Sequence, residues 1–268
     1  MHNKKYGFTL IELLVVIAII ALLLAILLPS LNVAKRIAAT VVCLSNQRQL
    51  GMAFVISSED MNGEIVDAQP TSSGYVRDPV THVRYPAFVA SPANGTLEAK
   101  IAALKKGGLW PYLETHEVFN CPFDNRWRKS RGGNNVGGYR SYSMGATLSR
   151  NPISHTGENK YAISKYSKFT SPSEKFVFLE ENDNQSLYNG NYWNMWVNGT
   201  RQWYDPFAIV HNDSSTFSYA DGHAGKFKWT DREMIEMSQG IEPIKVRKAD
   251  DSSKDFELIR AAYIPGRI

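Results

Sequence analysis

The sequence predicts an α+β fold in which a long N-terminal helix lays part of its length on an antiparallel β-sheet with long loops. Three observations carry that expectation. Phe8–Leu28 is an apolar run of 21 residues with Glu12 as its single ionisable side chain. Beyond Pro29 the apolar residues turn periodic, as Leu31, Ala34, Ile37/Ala38, Val41, Leu44, Leu50 and Phe54, the spacing of a helix with one apolar face. Further on, short apolar runs separated by turn residues read as strands.

As a helix, Phe8–Leu28 is roughly 31 Å long at about 1.5 Å per residue, enough to cross a bilayer. Lys4 and Lys5 precede it, so the positive-inside bias leaves the short leader in the cytoplasm and the C-terminal body outside. An acid near a bilayer centre costs at least about 2.5 kcal/mol, so Glu12 needs a reason to be there. A secretory signal has an apolar core of about 7–15 residues and a small-residue cleavage site after it. This run is too long, and Pro29-Ser30 does not make such a site. One helix is therefore expected from about Thr9 to Ser57, bent near Pro29, with Asn62-Gly63 turning the chain after it.

Gln69–Asn94, rich in Pro, Ser, Gly and isolated aromatics, reads as an irregular surface excursion. Thr96–Lys106 reads as a short amphipathic helix capped by Thr96 and stopped at Gly107-Gly108. Arg126–Gly138 reads as a mobile loop, and Glu174–Glu180 as a buried strand introduced by Ser171-Pro172-Ser173. Thr216–Ala220 and Ala224–Trp229 read as a hairpin about Asp221-Gly222. A three-residue loop, Asp221–His223, is favoured because it sets Phe217 opposite Phe227 and Ser215 opposite Trp229.

The residues Gly-Phe-Thr-Leu-Ile-Glu at Gly7–Glu12, with the apolar run behind them, resemble the prepilin signal shared by type IV pilins and type II secretion pseudopilins. The resemblance implies a prepilin peptidase that cuts after Gly7 and methylates Phe8. It places Glu12 at the fifth mature position, where its carboxylate can pair with the N-terminal amine of a neighbouring subunit and offset the desolvation of both. It implies a pilin-like stem and head: residues 1–7 a leader, 8–29 a transmembrane and filament-core helix, 30–58 the amphipathic half of the same helix, and 59–268 an exported globular domain. The partners implied are the peptidase, other pilin or pseudopilin subunits and an inner-membrane assembly platform. Nine residues separate His211 from Asp221-Gly222. Residues 211–222 are thus similar to the H-X9-DG segment of the DUF1559-like set of prepilin-type proteins. Phe54, the run Cys43–Gly51 and Asn120-Cys121-Pro122 look like that set too.

The formal net charge of +4 includes Lys4 and Lys5, whose removal leaves +2. That is too weak a balance for nucleic-acid binding, and no groove motif argues otherwise. Cys43 and Cys121 are the two cysteines; in an oxidising compartment they can form a disulfide, or stay as buried thiols. His211 can brace a strand by bonding the Asp221 carboxylate, the favoured reading, or join Asp221 and His223 in a metal or catalytic cluster. Glu181, Asn182 and Asp183 lie in an acidic run that reads as a solvated loop or as a set of calcium ligands, though it lacks the regular order of a calcium loop. Trp193, Trp196 and Trp203 are either a surface that stacks on sugars or partner proteins, or core beneath a loop. No catalytic motif is present, and neither a catalytic residue nor an obligatory cofactor is expected. The function expected is a filament subunit, in the inner membrane with its body in the periplasm, or at the cell surface once assembled. The alternative is an anchored or minor-pilin binding module that displays the aromatic loops.

Overall fold

The computed structural model describes residues 10–124, 138–151, 158–182, 192–197, 199, 201–238, 247–248 and 252–266. Helix α1 (Leu10–Asp60) is one 51-residue helix with Pro29 inside it. Its two halves differ as the sequence pattern demands. Residues 10–38 are exposed on every side, and this segment is long and apolar enough to cross a membrane. Burial begins at Ala39 and recurs at Cys43, Asn46, Gln47, Leu50, Gly51, Ala53, Phe54, Ser57 and Ser58, a stripe at three- and four-residue spacing.

The head continues as β1 (Tyr75–Arg77), β2 (Arg84–Pro86), α2 (Leu97–Lys105), α3 (Trp110–Leu113), β3 (Tyr142–Met144), β4 (Phe176–Glu180), β5 (Gln202–Trp203), β6 (Ser214–Tyr219), β7 (Ala224–Lys228), α4 (Arg232–Ser238), β8 (Arg247–Lys248) and α5 (Lys254–Tyr263). The main sheet is antiparallel, in the order β3-β4-β6-β7. The stem crosses it over β6, β7 and β4. The fold is therefore α+β, a long helix on an antiparallel sheet.

Strand alternation explains how the helix approaches so closely. Ser218 touches α1 at Gly51, and by the two-residue period Ser214 and Thr216 share its face. These are small side chains, and large ones there would hold the stem away. On the opposite face Phe217 joins Phe176 and Phe207, with ring centroids 5.3 and 5.7 Å away. Phe176 and Phe178 should share a face by that period, yet Phe178 packs against Phe54 at 6.2 Å. The register of β4 on β6 shifts between these two residues. The extra residue of this bulge turns the strand and feeds one phenylalanine to each side of the sheet.

Two expectations change. Gln69–Asn94 is a surface excursion only in part: residues 71–86 are mostly exposed and hold the β1–β2 hairpin, but Ala87–Ala90 are buried. Backbone pairing from Asp67 draws the segment inward, through Asp67 N–H to Pro86 O (2.9 Å) and Phe88 N–H to Asp67 O (2.8 Å). In the β6–β7 hairpin, Phe217 lies opposite Gly225 and Ser215 opposite Phe227, two residues from the expected register. The loop is Ala220–Gly222, closed by Gly222 N–H to Tyr219 O at 2.9 Å, with Tyr219 N–H bonding His223 O at 2.9 Å. Gly222 carries the positive φ of 89°, as the third residue of a three-residue hairpin loop requires. The Tyr219 and His223 rings stack across the turn, 4.2 Å apart, a pairing that outweighs the aromatic match first favoured. Because the shift is an even number, every residue keeps its face. Two helices, α4 and α5, follow the hairpin. In α5 the Ser253 hydroxyl caps the first turn by accepting from Phe256 N–H, and Phe256, Ile259 and Tyr263 are buried.

Other elements fall where the pattern puts them. The Thr96 side chain accepts from Ala99 N–H at the start of α2. Strand β4 is buried throughout and follows a 3₁₀ turn at Pro172–Glu174. The expected loop at Arg126–Gly138 lies, apart from Gly138, outside the described residues.

Candidate functional site

Two regions bear on function, the bare stem and a buried cluster where the stem enters the head. Gly7 and Phe8 lie outside the described residues. Glu12 sits in the first turn of α1 and is exposed.

Lower on the stem, the run Cys43–Gly51 docks the head through polar as well as apolar groups. Asn46 Nδ2 donates to Asn120 O (3.1 Å), and Gln47 Nε2 donates to Thr216 O (3.0 Å). Each amide donates to a main-chain carbonyl of the head. Two turns of helix thus fix the rotation of the stem against β6 and against the loop holding Cys121.

Above that contact, four chain segments converge. His211 is buried, with Nε2 2.8 Å from Glu180 Oε1 and Nδ1 3.0 Å from Thr40 Oγ1. The Thr40 hydroxyl donates to Arg36 O at 2.8 Å, so Nδ1–H is the donor in the Thr40 contact. Glu180 Oε2 accepts from Thr216 N–H at 2.8 Å. Burial alone would lower the pKa of the imidazole. Hydrogen bonds to Cys121 and Glu180, with the Glu180 charge, outweigh it and raise the value to about 9. Cys121 Sγ stands 3.6 Å from His211 Nε2 and 2.9 Å from Cys43 Sγ. Both cysteines are free thiols. The contact with Cys43, aided by burial, pushes the Cys121 pKa up and keeps the thiol protonated.

The expected brace between His211 and Asp221 is replaced. The partner of His211 is Glu180, while Asp221 Oδ1 bonds His223 Nδ1 at 2.6 Å on the hairpin turn. The motif therefore divides: its histidine belongs to the buried cluster, and its Asp-Gly pair builds the loop under the stem. His211, Asp221 and His223 form no common cluster, because β6 runs between them. Glu180 and Thr40 are the residues that sequence reasoning missed. The one available signal was an acid closing the apolar run Phe176–Leu179, where strand burial carries the carboxylate inside.

The stacking surface is also corrected. Trp193 and Trp203 are wholly buried: Trp193 packs on Phe207 at 4.5 Å, and Trp203 on Phe256 at 4.9 Å. Trp196 is half-buried, 6.3 Å from Tyr204. Aromatic area of this size is worth more inside the core than in water. Of the acidic run, Glu181 faces Arg140 at 3.6 Å and accepts from the Ser143 hydroxyl. Asn182 Nδ2 donates to Ser238 O, and Asp183 lies outside the described residues. Glu181 and Asn182 are therefore engaged with protein groups.

A family model described as the prokaryotic N-terminal methylation motif matches residues 2–28. Neither the curated proteins nor the solved structures yield a match to the chain. The chain thus carries a prepilin-type methylation motif at the head of an apolar helix, the arrangement of a membrane-anchored protein of pilin or pseudopilin type. A motif of this kind implies processing by a peptidase and assembly with other pilin subunits.

Proposed function

We propose that this chain is a structural subunit of a type IV pilus or a type II secretion pseudopilus. A prepilin peptidase cuts after Gly7 and methylates Phe8. The subunit then sits in the inner membrane, N-terminus cytoplasmic and head periplasmic, until an assembly platform polymerises it with other pilin or pseudopilin subunits. Its role is structural and not enzymatic. The observation that carries this reading is the division of α1: the head packs on the helix from Ala39 onward, while residues 10–38 stay bare. Burying that apolar length requires either lipid or the same helix of other subunits.

The test is electron microscopy of the sheared cell-surface fraction, labelled with antibody to residues 60–268. Label along filaments supports a polymerising subunit, and label confined to the membrane refutes it. Within a labelled filament, Glu12→Ala is expected to leave insertion and cleavage intact and to impair assembly. Normal incorporation of that variant would remove the pairing of Glu12 with a neighbour's amine.

A further inference from the structure

We propose that Cys43, Cys121, Glu180 and His211 are the four ligands of a buried zinc ion that ties the stem to the head. All four residues are buried, and their ligand atoms lie within 4.8 Å of one another. They come from α1, the loop after α3, the end of β4 and the residues before β6, so the cluster is a product of the fold. Two sulfurs, one imidazole and one carboxylate suit tetrahedral zinc.

The spacing fits in part and requires two adjustments: His211 Nε2 and Glu180 Oε1, 2.8 Å apart, must open to about 3.4 Å, and the sulfurs must move too. Zinc bonds of about 2.3 Å to sulfur and about 2.0–2.1 Å to nitrogen, at a tetrahedral angle, separate the two ligand atoms by about 3.6 Å. Cys121 Sγ and His211 Nε2 are 3.6 Å apart. Two thiolates on one ion stand about 3.8 Å apart by the same construction, so the sulfurs must part from 2.9 Å. A disulfide, at about 2.05 Å, would need them to close by nearly the same amount. The sulfur contact therefore favours neither outcome, and the surroundings decide.

Two surroundings favour the ion. The Thr40 hydroxyl is committed to Arg36 O, so it holds His211 by Nδ1–H and leaves Nε2 facing the cluster. A metal-bound histidine characteristically donates its other ring N–H in this way. Second, the Tyr142 hydroxyl is wholly buried and meets no oxygen or nitrogen partner among the described residues, only the Cys43 sulfur. Burial, and after it the neighbouring Cys43, raises its pKa. A zinc-bound thiolate accepts that hydroxyl's hydrogen bond, whereas a disulfide sulfur is a poor acceptor and leaves it orphaned. On binding, the two thiol protons and the proton on Nε2 pass to water. The unit of negative charge left on the site meets Tyr142 O–H and the Thr216 N–H that already bonds Glu180 Oε2.

The experiment uses the full chain in detergent, purified without chelator or reductant. Zinc per chain, reactive thiols and intact mass are measured on the same sample. One zinc per chain is expected, with two thiols that react only after denaturation in chelator. Cobalt added to the reduced, metal-free chain should give a thiolate-to-metal charge-transfer band and tetrahedral d–d bands. Tyr142→Phe should keep those bands and bind cobalt about 10–100-fold more weakly, the usual effect of losing a group behind a ligand. A chain isolated without zinc and lighter by two hydrogens carries a disulfide and overturns the proposal. A reduced chain with no thiolate–cobalt band overturns it too, and unchanged cobalt affinity in Tyr142→Phe removes Cys43 from the ligand set. None of these readouts depends on filament assembly, so the site can fail while the subunit role stands.

Discussion

Gly222→Ala is expected to cost about 2 kcal/mol of stability, and Gly63→Ala less than half of that, although the two glycines share one backbone conformation. Their φ angles are 89° and 83°, where a Cβ costs about 1–2 kcal/mol. Replacing glycine also restricts the unfolded chain, which returns about 0.4–1 kcal/mol. At Gly63 nothing stands within 4 Å of the added carbon, so the net loss is about 0.5–1 kcal/mol. At Gly222 the Cβ would lie 2.7 Å from Met52 Sδ and 3.7 Å from the Gly51 carbonyl carbon. The thioether must leave its rotamer, at about 0.5–1.5 kcal/mol, or the stem must lift from the turn at about 1–3 kcal/mol.

For a chain of this length each 1 kcal/mol lowers Tm by about 2–4 °C. Thermal melts of the detergent-solubilised chain, followed by near-ultraviolet circular dichroism, should fall by about 4–8 °C for Gly222→Ala and about 1–4 °C for Gly63→Ala. Adding Met52→Ala to the Gly222→Ala chain should recover the contact part of the loss, giving a coupling of about 0.5–1.5 kcal/mol. Equal losses at the two glycines, with no coupling to Met52, would refute the claim that this turn is shaped to lie under the stem.

Phe54→Ala should cost about 3–5 kcal/mol, since Phe54 is wholly buried and meets the edges of Phe169 and Phe178 at 6.2 Å each; a denaturant midpoint measures it. Asp67→Ala should cost about 1–3 kcal/mol in the same assay. It strips partners from Gln69 N–H, Arg150 N–H and the Ser149 hydroxyl, while Arg150 keeps its ion pair with Glu64 at 2.7 Å. Asp221 gives a small pH effect. Burial pushes its carboxyl up, but hydrogen bonds from His223 outweigh that and hold it below the unfolded value of 3.8. The stabilisation is thus present above about pH 4 and fades as pH falls through the lower folded value. The stability gap between the parent chain and Asp221→Asn should shrink over that window in acid titrations.

Much of this fold is legible from periodicity. The stem follows from one apolar run and one stripe, and Thr96 announces α2 by its capping chemistry. The β6–β7 hairpin is legible as an element but not in its register, because two loops of equal length differ only in which aromatic pair closes them. Ala87–Ala90 defeat a sequence reading for another reason: the segment is held by the peptide groups of Asp67, some 20 residues away, which leave no periodic trace. The cluster is illegible in the same sense. Each of Cys43, Cys121 and His211 draws notice alone, but Glu180 reads as the polar end of a strand. Only the β-bulge that sets the facing of β4, and the bonding of Gln47 to β6, bring it to the histidine.

The two functional regions meet in one stretch of helix. From Cys43 to Met52, α1 presents a sulfur to the cluster, two amides to buried carbonyls, and at Gly51 a bare backbone to Ser218 and the hairpin turn. A glycine inside a helix costs roughly 1 kcal/mol against alanine. Here its added Cβ would stand 2.2 Å from Ser218 Oγ and 3.1 Å from Gly222 Cα, so the close approach explains why the weaker helix former occupies the position. The head is thereby held at one rotation and one height on its stem. The subunit role proposed above would require that definition, because a slip of one residue would turn the head by about 100° around the helix.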